Sequence, residues 1–160
     1  MNEREQRLID RGYPIERVPP AAGLYTPVVV SDDTFYLSGS VPVDGTEHTC
    51  RGKVPSEVGV EEATTAAALC AANLLRVFIR DVGPLSRIDR LLKVTGFVNS
   101  DPTFAEQHLV INGASQLFLD VLGEAGHHAR SAVGMAGLPT GAAVEVELIG
   151  RIKPPAQSSS

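Results

Sequence analysis

The chain has 160 residues, 43% of them hydrophobic, so its length fits one domain and its composition supplies a core that needs no disulfide or metal. A net charge of −5, only 14 scattered basic residues and an aromatic content of 5% argue against a nucleic-acid partner, which would need clustered cations and stacking aromatics. Two cysteines, the lack of a signal peptide and the lack of an apolar run near the roughly 20 residues that span a bilayer predict a cytoplasmic protein with no membrane partner.

Residues 1–17 are predicted to form an N-terminal helix and its lead-in. Leu8 and Ile9 have helical spacing within residues 2–12, and Gly12 is a helix stop signal. Residues 13–25 are rich in proline and should cross the surface in extended form.

The next segment predicts a strand pair followed by a loop. Residues 26–30 and 34–39 have strand composition and flank the turn signal Ser31-Asp32-Asp33. Residues 40–58 lack periodicity and contain two glycines and two prolines, which is typical of a loop.

Two long helices and one strand are predicted in the middle of the chain. Residues 60–83 give the strongest helix, residues 88–100 become a strand around 92–98, and residues 103–126 form a second helix that Asn112-Gly113 interrupts. The apolar stripes are Ala63, Ala67, Ala71, Leu74, Phe78 and Val82 on the first helix, and Ile111, Ala114, Phe118 and Val121 on the second.

The order of two strands, helix, strand, helix and two strands predicts an α+β fold. Each long helix connects strands, so both helices can cover the same face of one mixed β-sheet. The other face must then be buried by something else, and self-association is the simplest source of that cover. Residues 154–160 are predicted to be a disordered tail.

Motifs for metals, cofactors and nucleophiles are absent from the sequence. There is no G-x-S-x-G, G-x-x-x-x-G-K-[ST] or G-x-G-x-x-G motif. His127 and His128 would point to opposite faces of a strand, and His48 and Cys50 have no second pair to complete a zinc site. We therefore expect neither a metal nor a cofactor.

The segment "HHARSAVGMAGLPTGAAVEVELIG" predicts a C-terminal hairpin that turns at Leu138–Gly141. Its register would place Arg130 on one face with Glu145 and Glu147, away from the helices, beside small residues that leave room for a pocket. The sequence does not decide which glutamate faces Arg130, and a bulge or three-residue loop would separate the arginine from both. An ion pair at a subunit contact is the plainer alternative.

This C-terminal segment, with its Arg-Ser, Leu-Pro and Glu-x-Glu, resembles the signature of the RidA family, also called YjgF or endoribonuclease L-PSP. The segment "YLSGSVPVD" (36–44) resembles the family's Ser-Gly-x-x-Pro segment, and Tyr25 occupies the place of its tyrosine before the first strand. The resemblance covers residues 18–153 as one RidA-like domain. The N-terminal helix and the segment "HHARSAVG" resemble the sequences of the longer YjgF-like branch.

The resemblance implies a chorismate-mutase-like fold and a homotrimer with ligand sites between subunits. It also implies hydrolysis of reactive enamine and imine acids, such as 2-aminoacrylate, to 2-keto acids and ammonia. Carried over by position, Arg130 is the substrate-binding arginine and Glu145 the catalytic-site glutamate. Tyr25, Gly39 and Asn112 match pocket positions.

One position departs from the active deaminases of the family. They often have a cysteine two residues after the arginine, where this chain has Ala132, so the pocket shape and substrate are in question. Two rival functions stay open. One is non-catalytic binding of a small carboxylate, and the other is the RNA cleavage that the older family name implies.

Overall fold

A five-stranded mixed sheet with two long helices on one face forms the centre of the computed structural model, which describes residues 2–21 and 23–154. The helices and strands in chain order are α1 (Glu3–Asp10), β1 (Val28–Ser31), β2 (Thr34–Ser40), β3 (Val43–Asp44), β4 (Glu47–His48), α2 (Val60–Asp81), β5 (Ile88–Asn99), α3 (Gln107–Leu122), β6 (Ala129–Met135) and β7 (Val144–Ile152). Short 3-10 turns occupy Leu85–Arg87, Gly123–Gly126 and Pro139–Gly141. The predicted tail falls mostly on residues 155–160, which lie outside the described residues.

The strand order in the main sheet is β1-β2-β7-β5-β6. Neighbouring strands are antiparallel except β5 and β6, which run parallel. The sheet is therefore mixed, as expected from the sequence, and β1 and β6 are its two edges.

Both long helices pack on one face of this sheet, which confirms the predicted architecture. On β7 the residues that face the helices are Val144, Val146 and Leu148, and all three are fully buried. The predicted helix stripes are buried too, apart from Val82, which is partly exposed; the buried members are Ala63, Ala67, Ala71, Leu74 and Phe78 on α2, and Ile111, Ala114, Phe118 and Val121 on α3.

The sequence analysis found no apolar run long enough to span a bilayer, and helix α2 corrects that statement. By length and composition alone it is apolar enough to cross a membrane, although the core helix of a soluble protein meets the same criterion. Most of its apolar stretch is buried against the sheet and α3. The apolar character of α2 is thus accounted for by its place in the core.

Helix α1 is fastened to the start of β5 by its charged side chains. Asn2 caps the helix and forms a reciprocal capping box with Glu5. The Arg4 guanidinium donates to the carbonyls of Leu85 and Ile88, and Glu5 accepts from the Leu85 amide. Since the Leu8 side chain is also fully buried, α1 packs as part of the core.

Two local predictions differ from the structure. Residues 40–58 contain the small β3–β4 hairpin in addition to loop. The Asn112-Gly113 pair does not interrupt α3, which runs unbroken from Gln107 to Leu122. Gly113 has a packing role instead, because a Cβ on this residue would overlap the carbonyl oxygen of Thr64 on α2.

The predicted C-terminal hairpin is wrong. Strand β5 lies between β6 and β7, so Gly134 and Ala132 pair with β5 and not with Glu145 and Glu147. The eight residues 136–143 carry the chain past the end of β5, a span that is longer than a tight hairpin turn requires. The face assignment built on that hairpin fails with it.

We expect Gly113→Ala to destabilise the protein even though alanine is the better helix former by about 1 kcal/mol. The added methyl group would force α2 and α3 apart, and such overpacking costs about 1–3 kcal/mol. Urea unfolding measures the change. Gly137→Ala is the control, because a Cβ there meets no atom within 4 Å, and equal stability of both variants would contradict this account of the helix contact.

Candidate functional site

Arg130 lies on edge strand β6 and reaches toward α3. Its guanidinium donates through Nη1 to Asn112 Oδ1 at 2.9 Å and to Ser115 Oγ at 3.1 Å, and through Nη2 to the His108 carbonyl at 3.3 Å. Positions 108, 112 and 115 follow the helical repeat, so one side of α3 supplies all three acceptors. We call these four residues the Arg130 cluster.

The charge of Arg130 has no carboxylate partner among residues 2–21 and 23–154. Its acceptors are an amide oxygen, a hydroxyl oxygen and a backbone carbonyl, none of which carries a net charge. The side chain is partly exposed at the edge of the sheet. The cluster therefore presents a fixed positive charge, which is the arrangement an anion site requires.

His128 stands behind this cluster. Its Nε2 lies 2.9 Å from Ser115 Oγ and its Nδ1 lies 2.6 Å from the carbonyl oxygen of Gly126. Its ring also meets Phe118 edge-on, with centroids 6.0 Å apart. Burial lowers the pKa of His128, and the nearby charge of Arg130 lowers it further, while the bond to Gly126 acts in the opposite direction.

Glu145 lies on the opposite face of the sheet. Its β7 neighbours Val144 and Val146 are buried under the helices, so the alternation of a strand points Glu145 away from them. The carboxylate lies against Gly39 of β2, where a Cβ would come within 2.8 Å of Oε2. Burial raises the pKa of Glu145, and the charge of Glu147 adds to that effect.

Tyr25 and Gly39 line a cleft of about 180 Å³ at the β1–β2 side of the domain. The lead-in, β2, the β3–β4 hairpin and α2 all contribute to its walls, which include Ser38, His48 and Arg80. Tyr25 is 47% exposed, so its ring remains accessible from outside.

The sequence-predicted site residues thus fall into two groups. Arg130 and Asn112 touch at the β6 edge of the sheet, while Tyr25 and Gly39 line the cleft on the β1–β2 side and Glu145 lies against Gly39. Across the sheet Arg130 aligns through Val94 with Leu148, three residues from Glu145 and two strands away. That separation is roughly 10 Å in each direction, with the side chains on opposite faces, so neither Glu145 nor Glu147 faces Arg130 within one chain.

Ala132 also faces the helix side, where it packs partly buried against the core. A longer side chain at this position would enter the space between β6 and α3. The missing thiol therefore changes the volume beside the Arg130 cluster and leaves the hydrogen bonds of Arg130 in place.

Ser115, His108 and His128 were missed by the sequence analysis. The spacing of 108, 112 and 115 is a detectable helical signal, but only the pairing of β6 with β5 reveals that Arg130 faces it. His128 was considered only as a metal ligand. In the described part of the chain, no three His, Cys, Asp or Glu side chains lie together in a way that would hold a metal ion.

The chain is similar both to a known protein family and to individual proteins. Residues 5–151 match the family described as "YjgF/chorismate_mutase-like, putative endoribonuclease". Protein TCP17 of Trypanosoma cruzi is 41% identical over 126 residues, which cover 78% of this chain and 79% of that protein.

Two solved structures resemble the chain over nearly its whole length. The protein Atu1372 from Agrobacterium tumefaciens, described as of unknown function, is 44% identical with a TM-score of 0.85 and coverage of 94% and 92% of the two chains. A protein from Shewanella oneidensis described as a putative endoribonuclease is 27% identical with a TM-score of 0.89 and coverage of 94% and 99%.

The raised pKa of Glu145 predicts a pH-dependent change in stability for Glu145→Gln. Folding takes up a proton between the unfolded and folded pKa values, so the free energy of unfolding of the wild type falls as pH rises through that window. We expect the variant to melt at a higher temperature than wild type at pH 7, because it lacks the desolvated charge. The difference in melting temperature should shrink toward zero below about pH 4, where the Glu145 side chain of the wild type is largely protonated and therefore uncharged, like the glutamine of the variant.

Thermal unfolding from pH 4 to pH 8 measures this difference. Glu47→Gln, which removes the same charge at an exposed position, is the matched control. A constant difference between Glu145→Gln and wild type over the whole range would contradict the burial of a charged Glu145.

Proposed function

Since the chain belongs to the YjgF/chorismate mutase-like family, we propose that it hydrolyses small imine and enamine acids to 2-keto acids and ammonia. The observation that carries the proposal is the guanidinium of Arg130, held by three neutral oxygens with no carboxylate partner in the described residues. A small carboxylate is the ligand whose charge and shape complement it.

The donor count supports a two-point grip on that carboxylate. A guanidinium has five N–H donors, and the Arg130 cluster uses three of them. Within the described part of the chain, the Nε–H and one Nη2–H have no acceptor, and two donors are the number a carboxylate needs for two parallel hydrogen bonds. The cluster fixes the guanidinium before the ligand arrives, so little side-chain entropy is lost on binding.

The chemistry then needs one acid–base group. In the proposed reaction a water oxygen bonds to the imine carbon, and the imine nitrogen gains a proton. The C–N bond of the resulting carbinolamine breaks, ammonia leaves, and a carbonyl forms in its place. Glu145 would take a proton from the water and return it to the nitrogen, and its raised pKa suits a group that both accepts and donates a proton.

Arg130 and Glu145 lie on opposite faces of one chain, so a site that uses both requires two copies. We propose a homotrimer in which the β6 edge of one subunit meets the β2–β7 region of the next. Exposed apolar side chains at both places fit such a contact: Val133 and Met135 on β6, and Val29 and Tyr36 on β1 and β2. Each cleft would then receive its arginine from one subunit and its glutamate from another.

Two other functions would use the same anion site. A binding protein would hold the carboxylate without turnover, and an endoribonuclease, the activity in the family description, would place an RNA phosphate on Arg130. Ammonia release from freshly generated imino acids separates the enzyme from the binder. RNA cleavage that is lost in Arg130→Lys, together with no ammonia release by the wild type, would favour the nuclease.

Arg130→Lys is expected to lose about 10–100-fold in kcat/KM, because an ammonium cannot reproduce the two parallel hydrogen bonds to a carboxylate. Ammonia and 2-keto acid release from 2-iminobutyrate, formed in situ, measures it. Arg90→Lys is the control, since Arg90 is exposed and donates to the carbonyl of the adjacent Leu91. Wild-type turnover in Arg130→Lys would refute the proposed grip.

Subunit mixing tests whether the site is shared. Alone, Arg130→Lys should keep at most about a tenth of wild-type activity, as predicted above, and Glu145→Gln should keep about a hundredth or less, because an acid–base group contributes about 10²–10⁴-fold. When the two variants are unfolded and refolded together at equal concentration, about one quarter of the inter-subunit sites should contain both native residues, assuming random assembly. Activity near a quarter of wild type is the expected result, and no recovery would mean that the two residues do not meet across an interface.

A further inference from the structure

Three side chains and one carbonyl form a hydrogen-bonded chain behind the candidate site. It runs from Arg130 Nη1 to Ser115 Oγ, from Ser115 to His128 Nε2, and from His128 Nδ1 to the Gly126 carbonyl, with distances of 3.1, 2.9 and 2.6 Å. In each of these hydrogen bonds, the chemistry of the two groups determines which one donates.

At both ends of this hydrogen-bonded chain, the donor and acceptor roles are known. A carbonyl oxygen only accepts, so the proton of the imidazole lies on Nδ1 and points to Gly126. A guanidinium only donates, so Ser115 Oγ accepts from Arg130. The Ser115 hydroxyl proton is then directed to the lone pair on His128 Nε2, and every donor in the chain meets an acceptor.

The neutral imidazole satisfies this pattern, because its Nε2 lone pair accepts the Ser115 hydroxyl proton. A protonated His128 would point a second N–H at Ser115 Oγ, which already accepts from Arg130. The Ser115 hydroxyl would then lie between two positive charges, one on Arg130 and one on His128. The groups that contact the ring are Ser115 and Phe118 from α3 and Gly126 from the preceding turn, and the titratable side chains that act on it are those of Arg130 and His127. None of them is a carboxylate that would favour the charged ring.

We propose that His128 is a positioning residue that acts through Ser115 to hold the guanidinium of Arg130 in its anion-binding orientation. The two donors left for a ligand, Nε–H and one Nη2–H, are then held in one orientation. The inference rests on the proposed function only for the identity of the anion. The orientation of Arg130 itself is measurable without any ligand.

Nuclear magnetic resonance tests the chain directly in the wild-type protein. We expect the imidazole nitrogen shifts of His128 at pH 7 to report the Nδ1–H tautomer. We also expect the Nη protons of Arg130 to be resolved, because three acceptors slow rotation of its guanidinium. An Nε2–H tautomer, or rapidly averaged Nη protons in Arg130, would overturn the proposal whether or not the protein is a deaminase.

A double-mutant cycle tests the route through Ser115. His128→Phe keeps an aromatic ring against Phe118 and removes both nitrogens, and Ser115→Ala removes the link. With 2-ketobutyrate as the probe, each variant should weaken binding about 2–10-fold, the effect of one lost hydrogen bond. The combined variant should bind as weakly as Ser115→Ala alone, because both changes interrupt one series of contacts.

Two further variants distinguish positioning from general stability. His128→Gln, whose amide oxygen can accept from Ser115, should recover most of the binding, and His127→Phe, at the exposed neighbouring position, should have no effect. Independent losses that add in the combined variant, or a loss in His128→Phe that Gln does not rescue, would overturn the proposal. Failure of the wild type to bind 2-ketobutyrate would count against the proposed function alone, because the spectroscopic test remains.

Discussion

Among the described residues, only neutral oxygen atoms hold the guanidinium of Arg130, and the candidate site depends on that arrangement. Asn112, Ser115 and the His108 carbonyl restrict its position without neutralising its charge. A carboxylate in the same place would have formed an internal ion pair and left no net attraction for a small anion. Within the described residues two donors have no acceptor, so the proposed site would combine an immobilised side chain with free donors, which lowers the entropic cost of recognition.

Close packing in the core fixes where that arginine can be held. Gly113 follows Asn112 in α3, and its lack of a side chain lets the helix lie against the Thr64 carbonyl of α2. Gly96 on β5 leaves room for Ile111, the residue before Asn112. The contacts that seat α3 on the sheet and on α2 are therefore next to the residues that bind Arg130, and the geometry of the cluster follows from the packing of the core.

The mixed sheet divides the chemistry between its two faces. Strand β5 separates β6 from β7, so the arginine at the edge and the glutamate on the open face cannot meet inside one chain. Glu145 remains half-buried against Gly39 with a raised pKa and without a cation among its described neighbours. A complete site built from two copies would supply each group with the other, and the apolar residues exposed at both places provide a surface for that contact.

The sequence by itself determined the α+β class and both long helices with most of their buried stripes, and its resemblance to a known family singled out Arg130, Asn112, Glu145 and Gly39. Helical periodicity repeats within a few residues, so the sequence carries it directly. The hairpin prediction failed because a turn-like Leu-Pro-Thr-Gly segment looks the same whether it joins adjacent strands or passes a third one. Strand order depends on packing contacts between residues far apart in the sequence. The observed order places Arg130 on the helix side of the sheet. Only the tertiary structure brought His128 to Ser115, thirteen residues away, because that contact depends on how α3 crosses the start of β6.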